Sequence, residues 1–151
     1  PEALAWAGRL ASELGAMTLR LPPEGHTFYH AAAVMASNYV VALVDAAVML
    51  MRAAGIGEET ARRALAPLVE ASSANALSQG PVEALTGPVQ RGDVETLRLH
   101  MRALQAAPDR LREFYAAAGL YALDIALRRG LAPSAAALVE KALEGSEQGA
   151  D

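Results

Sequence analysis

The stretch AAAVMASNYVVALVDAAVMLM, residues 31–51, decides how the chain folds. Only Ser37, Asn38 and Asp45 in it are plainly polar, and no proline or glycine interrupts it. With its flanks it predicts one long helix from about His26 to Ala54, stopped at Gly55 in the turn AAGIG. Its 21 residues match the roughly 20 that a bilayer span requires. An aspartate near the centre of such a span costs about 2.5–3.5 kcal/mol, however, and alanine drives insertion only weakly. The segment therefore reads as a buried helix of a soluble domain, with no membrane partner.

Composition predicts helices on both sides of it. Of 151 residues, 35 are alanine and 21 leucine, against 12 valines and isoleucines combined, which favours helix over strand. The absence of cysteine excludes disulfides, thiolate zinc sites, iron–sulfur clusters and cysteine nucleophiles, and it suits a reducing, cytoplasmic setting. The net charge is −4, and no basic stripe with interleaved aromatics occurs, so nucleic acid is not an expected partner.

Upstream, EALAWAGRLASELG (residues 2–15) sets Leu4, Ala7, Leu10, Ala11 and Leu14 on one helical face, with Gly15 where a C-cap belongs. Residues 16–21 then alternate Met17, Leu19 and Leu21 against Thr18 and Arg20, the period of a short half-buried strand. A lone strand would leave its backbone groups unpaired. Residues 1–21 are therefore expected to be the last helix and strand of an α/β domain lying further upstream, in a longer protein.

Downstream, a helix is expected over residues 58–79, kinked or divided at Pro67. Loops follow at Gly80-Pro81 and at Leu85–Pro88. Asp93 is placed as the N-cap of a helix to about Ala106, and Pro108 opens another to Arg129, closed by Gly130. A last short helix starts at Pro133-Ser134 and runs to Leu143, and residues 145–151 read as a frayed polar tail. The expected fold is mainly α: a multi-helix domain over residues 26–144 built around one long central helix, preceded by the remnant over residues 1–21.

On an unbroken helix His30, Val34, Ser37, Asn38, Val41 and Asp45 fall within an arc of about 100°. A helix apolar nearly all round is surrounded by protein, so this stripe should face an interior or a cleft, as a structural network or as a site. His30 is its most useful member, since imidazole can take or give a proton near neutral pH. His26 and His30 stand four apart, as metal-binding histidines can, but Thr27 occupies the position where a zinc protease carries glutamate, and no metal is expected. Gly55-Ile56-Gly57 begins like a dinucleotide loop, yet Thr60 takes the third glycine position and a helix precedes it, so it reads as a turn.

The strings YHAAAVMASN (residues 29–38) and LTGPVQRGD (residues 85–93), with His100 beyond them, carry a family resemblance. Together they resemble the domain of unknown function 2520, a family of bacterial proteins that join a Rossmann-like N-terminal domain to a helical C-terminal domain. Its relatives include the pyrroline-5-carboxylate reductases and the 6-phosphogluconate dehydrogenase-like enzymes. The resemblance implies an NAD(P)-dependent oxidoreductase architecture. In it the helical domain closes the active-site cleft over a small-molecule substrate and forms a homodimer, with NADP or NAD bound mainly by the other domain.

Matched residue by residue, His30, Ser37 and Asn38 fall on the family's long-helix motif, and Thr86, Gly87, Pro88, Arg91, Gly92 and Asp93 on its loop motif. The resemblance makes His30 and Asn38 candidate catalytic residues and Ser37, Asn75 and Arg91 candidate substrate contacts, which Asp45 joins from the polar stripe. Related hydroxyacid dehydrogenases carry a lysine four residues before the asparagine, where this chain has Val34, so the proton-transfer role would move to His30 or vanish. The loop motif also has a purely structural reading, in which two glycines and a proline shape turns and Asp93 caps a helix. His100 is expected to be packed, and Phe114, Leu120, Leu123 and Leu127 to serve a core or an interface. Ala116–Ala118 with Gly119 would let helices approach closely. Two other classes remain beside the enzyme: a non-catalytic helical dimerisation module and a small-ligand-binding helical bundle.

Overall fold

A computed structural model describes residues 2–145, so the expected tail beyond Gly145 lies outside the described residues. Among the described residues the chain is mainly helical and forms no strand. It divides into two compact units, one ending at Leu43 and one beginning at Val44.

The first unit contains α1 (Glu2–Glu13), α2 (Gly25–Ala36) and the start of α3 (Asn38–Ala53). Gly15 ends α1 as its position suggests, with φ +70° and the Ala16 N–H donating to the Ala11 carbonyl at 2.8 Å. Residues 16–22 carry no regular structure; the strand expected there needs a ladder partner, and no strand occurs among the described residues. The apolar face of α1 buries nothing, and Leu4 and Trp6 are exposed.

The expected single long helix is two. At Ser37 the backbone leaves helical geometry (φ −123°, ψ −72°), ending α2, and α3 starts at the next residue. The cause is local. The Ser37 hydroxyl donates to the Ala33 carbonyl at 2.6 Å, the acceptor that its own N–H would use in a continuous helix. The N–H turns instead to Val34 at 3.4 Å, and the Ser37 carbonyl accepts the first bond of α3, from Val41 at 3.3 Å. Burial of this segment is the second correction. Phe28, Tyr29, Met35, Tyr39, Val41 and Leu43 are all exposed, and Val48 is the one buried residue of α2 and α3.

The second unit holds the rest of α3, α4 (Glu58–Gln79), two one-turn helices α5 (Pro81–Ala84) and α6 (Pro88–Arg91), α7 (Val94–Ala103) with a 3-10 turn over Leu104–Ala106, α8 (Asp109–Arg128) and α9 (Pro133–Glu144). Pro67 does not divide α4, which runs through it as one helix. Pro67 and its surroundings are exposed, so water can serve the carbonyl that loses its donor. Residues 85–87 lie outside any helix, as expected, and one-turn helices not expected from the sequence follow Gly80 and Gly87, each started by a proline after a glycine of positive φ.

The core is Val89, Leu97, Leu123, Ala126, Ala136, Val139, Ala142 and Leu143, drawn from α6, α7, α8 and α9. Leu97, Val139 and Leu143 are wholly enclosed. Each such side chain contributes about 1.5–3 kcal/mol relative to exposure. Gly119 of α8 allows the close approach expected of it: a Cβ there would lie 2.8 Å from Leu143 Cδ2, so any larger residue would force the Leu143 side chain to shift. Leu123 is core and Leu120 packs against it, whereas Leu127 is exposed. Arg129 fastens the end of α8 to the loop after α5, donating from Nη1 to the carbonyls of Glu83 and Leu85.

Candidate functional site

The helix break brings two of the expected site residues side by side. Ser37 Oγ lies 2.9 Å from Asn38 Oδ1, and its single proton can serve either that oxygen or the Ala33 carbonyl. His30 stands on α2 about two turns earlier, roughly 10 Å along the axis, and all three side chains are exposed. An imidazole, a hydroxyl and an amide on one helix pair can exchange a proton and hydrogen-bond a small polar molecule. Because the helical phase is reset at Ser37, the continuous 100° arc through Asp45 does not exist as expected.

The remaining candidates belong to the second unit. Asp45 is exposed on α3. Asn75, exposed on α4, accepts from Gln79 Nε2 at 3.4 Å through its Oδ1. Arg91 ends α6, with its guanidinium 3.6 Å from Asp93. Within this unit they lie on three separate helices, and no hydrogen bond or ion pair described here joins any two of them.

The loop motif is organised as its structural reading requires. Gly87 and Gly92 take φ +95° and +65°, and the Gly92 N–H donates to the carbonyls of Pro88 and Val89. Asp93 caps α7: Oδ1 accepts from the Thr96 N–H at 3.2 Å and Oδ2 from the Thr96 hydroxyl at 2.8 Å. The Thr96 hydroxyl, then the Thr96 N–H, and the Arg91 guanidinium more weakly, hold the Asp93 carboxyl below its usual value of 3.8. His100 bonds through Nδ1 to the Tyr115 hydroxyl at 2.7 Å, with the rings edge to face, joining α7 to α8. Burial pushes the Tyr115 phenol up, so it stays neutral and keeps that bond through the physiological range. His100 is thus a helix-joining residue at an exposed position rather than a packed one.

Two cavities open in the second unit, and neither is lined by any of the expected site residues. One of about 790 Å³ lies among α7, α8 and the end of α9, and one of about 510 Å³ lies between α8 and α9. Sequence reasoning missed the larger one because its basic residues, Arg98, Arg102, Arg112 and Lys141, come from three helices. Only Arg98 and Arg102, one turn apart on α7, carried a local signal.

A family model, the domain of unknown function 2520, matches residues 1–122. That range contains both motif strings and His100. No curated protein and no solved structure matches the chain.

Proposed function

The chain belongs to the family of the domain of unknown function 2520, and from that premise we propose that it is the helical domain of an NAD(P)-dependent oxidoreductase related to the pyrroline-5-carboxylate reductases, closing the active-site cleft and joining two copies as a homodimer. The observation that supports the catalytic part is the Ser37–Asn38 pair at the helix break, with His30 about two turns away on α2. His30, Ser37 and Asn38 are exposed on an otherwise apolar helix pair, where a substrate can reach them.

A dinucleotide cradle needs a strand running through a glycine-rich turn into a helix N-terminus. The described residues contain no strand, and Gly55–Gly57 joins two helices, so they do not fit the cofactor. NAD or NADP would be held by a separate domain and would supply redox chemistry from there. This chain's own share is proton handling by His30 and hydrogen bonding of a small substrate by Asn38 and Ser37.

The test is turnover of the parent protein with NADH or NADPH against a panel of imines and 2-oxo or 3-hydroxy acids. Removing a general acid–base costs about 10²–10⁴-fold, so His30→Ala should lower kcat by that order and Asn38→Ala should weaken substrate binding. Unchanged turnover in both variants would refute the assignment.

The homodimer part rests on the exposed apolar side chains of α2 and α3. Between Gly25 and Ala53 the only acidic or basic residues besides two histidines are Asp45 and Arg52. A two-fold interface sets each patch against its own copy, and a nearly uncharged patch does so without repulsion. The same exposure favours the second reading, a non-catalytic dimerisation module, which predicts that His30→Ala changes nothing while substitutions in the apolar face dissociate the dimer.

A further inference from the structure

The cavity among α7, α8 and α9 combines two features that a ligand site needs. Its wall is basic: Arg98 and Arg102 from α7, Arg112 from α8 and Lys141, the chain's one lysine, from α9. Glu113 and Glu144 are the acidic residues in the same lining, which leaves two cations in excess on a chain whose net charge is −4. Its floor is apolar, built from Met101, Leu120 and the enclosed Leu143. At about 790 Å³ it falls within the roughly 300–1,000 Å³ of small-molecule pockets.

The four cations are already engaged within the chain. Arg102 pairs with Glu95 at 3.3 Å and Arg112 with Asp109 at 3.1 Å, and Arg98 and Lys141 also have interactions of their own. Glu95 and Asp109 are largely exposed, and ion pairs of this kind contribute only about 0–1 kcal/mol. An incoming anion that meets several guanidinium groups at once exchanges such weak contacts for multidentate, charge-assisted ones.

We propose that this cavity binds a small amphipathic organic anion, its carboxylate or phosphate held by Arg98, Arg102, Arg112 and Lys141 and its apolar body laid against Met101, Leu120 and Leu143. None of these residues belongs to the His30–Asn38 cluster, so the site stands independently of the oxidoreductase reading.

Titration calorimetry of the 151-residue chain with hexyl phosphate, hexanoate, inorganic phosphate and hexanol tests it. Hexyl phosphate or hexanoate should bind with one site per chain, and both inorganic phosphate and hexanol more weakly, since each lacks one half of the recognition. Arg112→Gln should weaken binding about tenfold or more, the scale of one lost charge-assisted hydrogen bond. Ala117→Glu, at an exposed position of the wall, should do the same by adding a competing carboxylate, while Arg62→Gln, outside the cavity, should leave affinity unchanged. Circular dichroism of each variant separates lost binding from lost folding. Heats for all four probes no larger than those of sodium chloride at equal ionic strength would overturn the proposal. So would equal losses in folded Arg62→Gln and Arg112→Gln.

Discussion

The segment Gly25–Ala53 and the α7–α9 bundle are both rich in alanine and aliphatic side chains, yet they use them in opposite ways. In the bundle the apolar positions interlock: Leu97, Val139 and Leu143 are fully enclosed, and Gly119 leaves room for the Leu143 side chain. In α2 and α3 the corresponding side chains are exposed, with Phe28 at 81% and Val41 at 70% of full accessibility. The more apolar segment is thus the more exposed one, so steric complementarity within the chain, not hydrophobicity, decides which side chains are buried. One set of apolar side chains has found its partners along the same polypeptide, and the other has surface suited to a partner outside it.

The strongest way to break this contrast is a pair of truncations. Leu97→Ala should destabilise the chain by about 2–5 kcal/mol in urea unfolding, because it opens a cavity in the core. Val41→Ala, measured at concentrations low enough to keep the chain monomeric, should change stability by no more than about 0.5 kcal/mol. Equal losses would show that α3 is packed within the chain after all.

A smaller effect sharpens the bundle side. The folded Asp93 carboxyl lies below its usual value of 3.8, so its contribution is fully present above that value and is lost as pH falls through the lowered folded value. Asp93→Asn should therefore melt slightly below wild type at neutral pH, with the gap closing in melts taken progressively below pH 3.8. A gap that persists undiminished at the acidic end would mean that the carboxylate's charge is not what caps α7.

These two regions also differed in how far the sequence could be read. From Glu58 to Leu143 the helix limits followed punctuation with a direct physical meaning: Gly55, Asp93 as N-cap, Pro108, Gly130 and Pro133. Around Ser37 the pattern misled, because residues 31–51 contain no proline or glycine and the break comes from a hydroxyl competing for one carbonyl. Pro67 misled in the other sense, since an exposed helix tolerates a missing donor. The alternation over residues 16–21 marks a segment that could pair, but a ladder needs a second strand and the described residues contain none.

Of the candidate site, Ser37 and Asn38 were legible as neighbours and His30 as lying on the same helical run. Their distribution between two helices was not. The basic cavity was hidden for a geometric reason: Arg98 and Lys141 are far apart in sequence, and only the packing of α7, α8 and α9 brings them to one wall.

The contrast between the two regions turns on what covers α2 and α3. By length and composition Gly25–Ala53 is also able to cross a membrane, so a bilayer is the rival to a second copy. Sedimentation equilibrium of the chain in detergent-free buffer at tens of micromolar decides between them, with Val41→Asp as the matched control. The account predicts a soluble dimer of about twice 15.7 kDa, with Val41→Asp shifted to monomer at unchanged helical content. A soluble monomer, or a chain that stays dispersed only in detergent or vesicles, would contradict it.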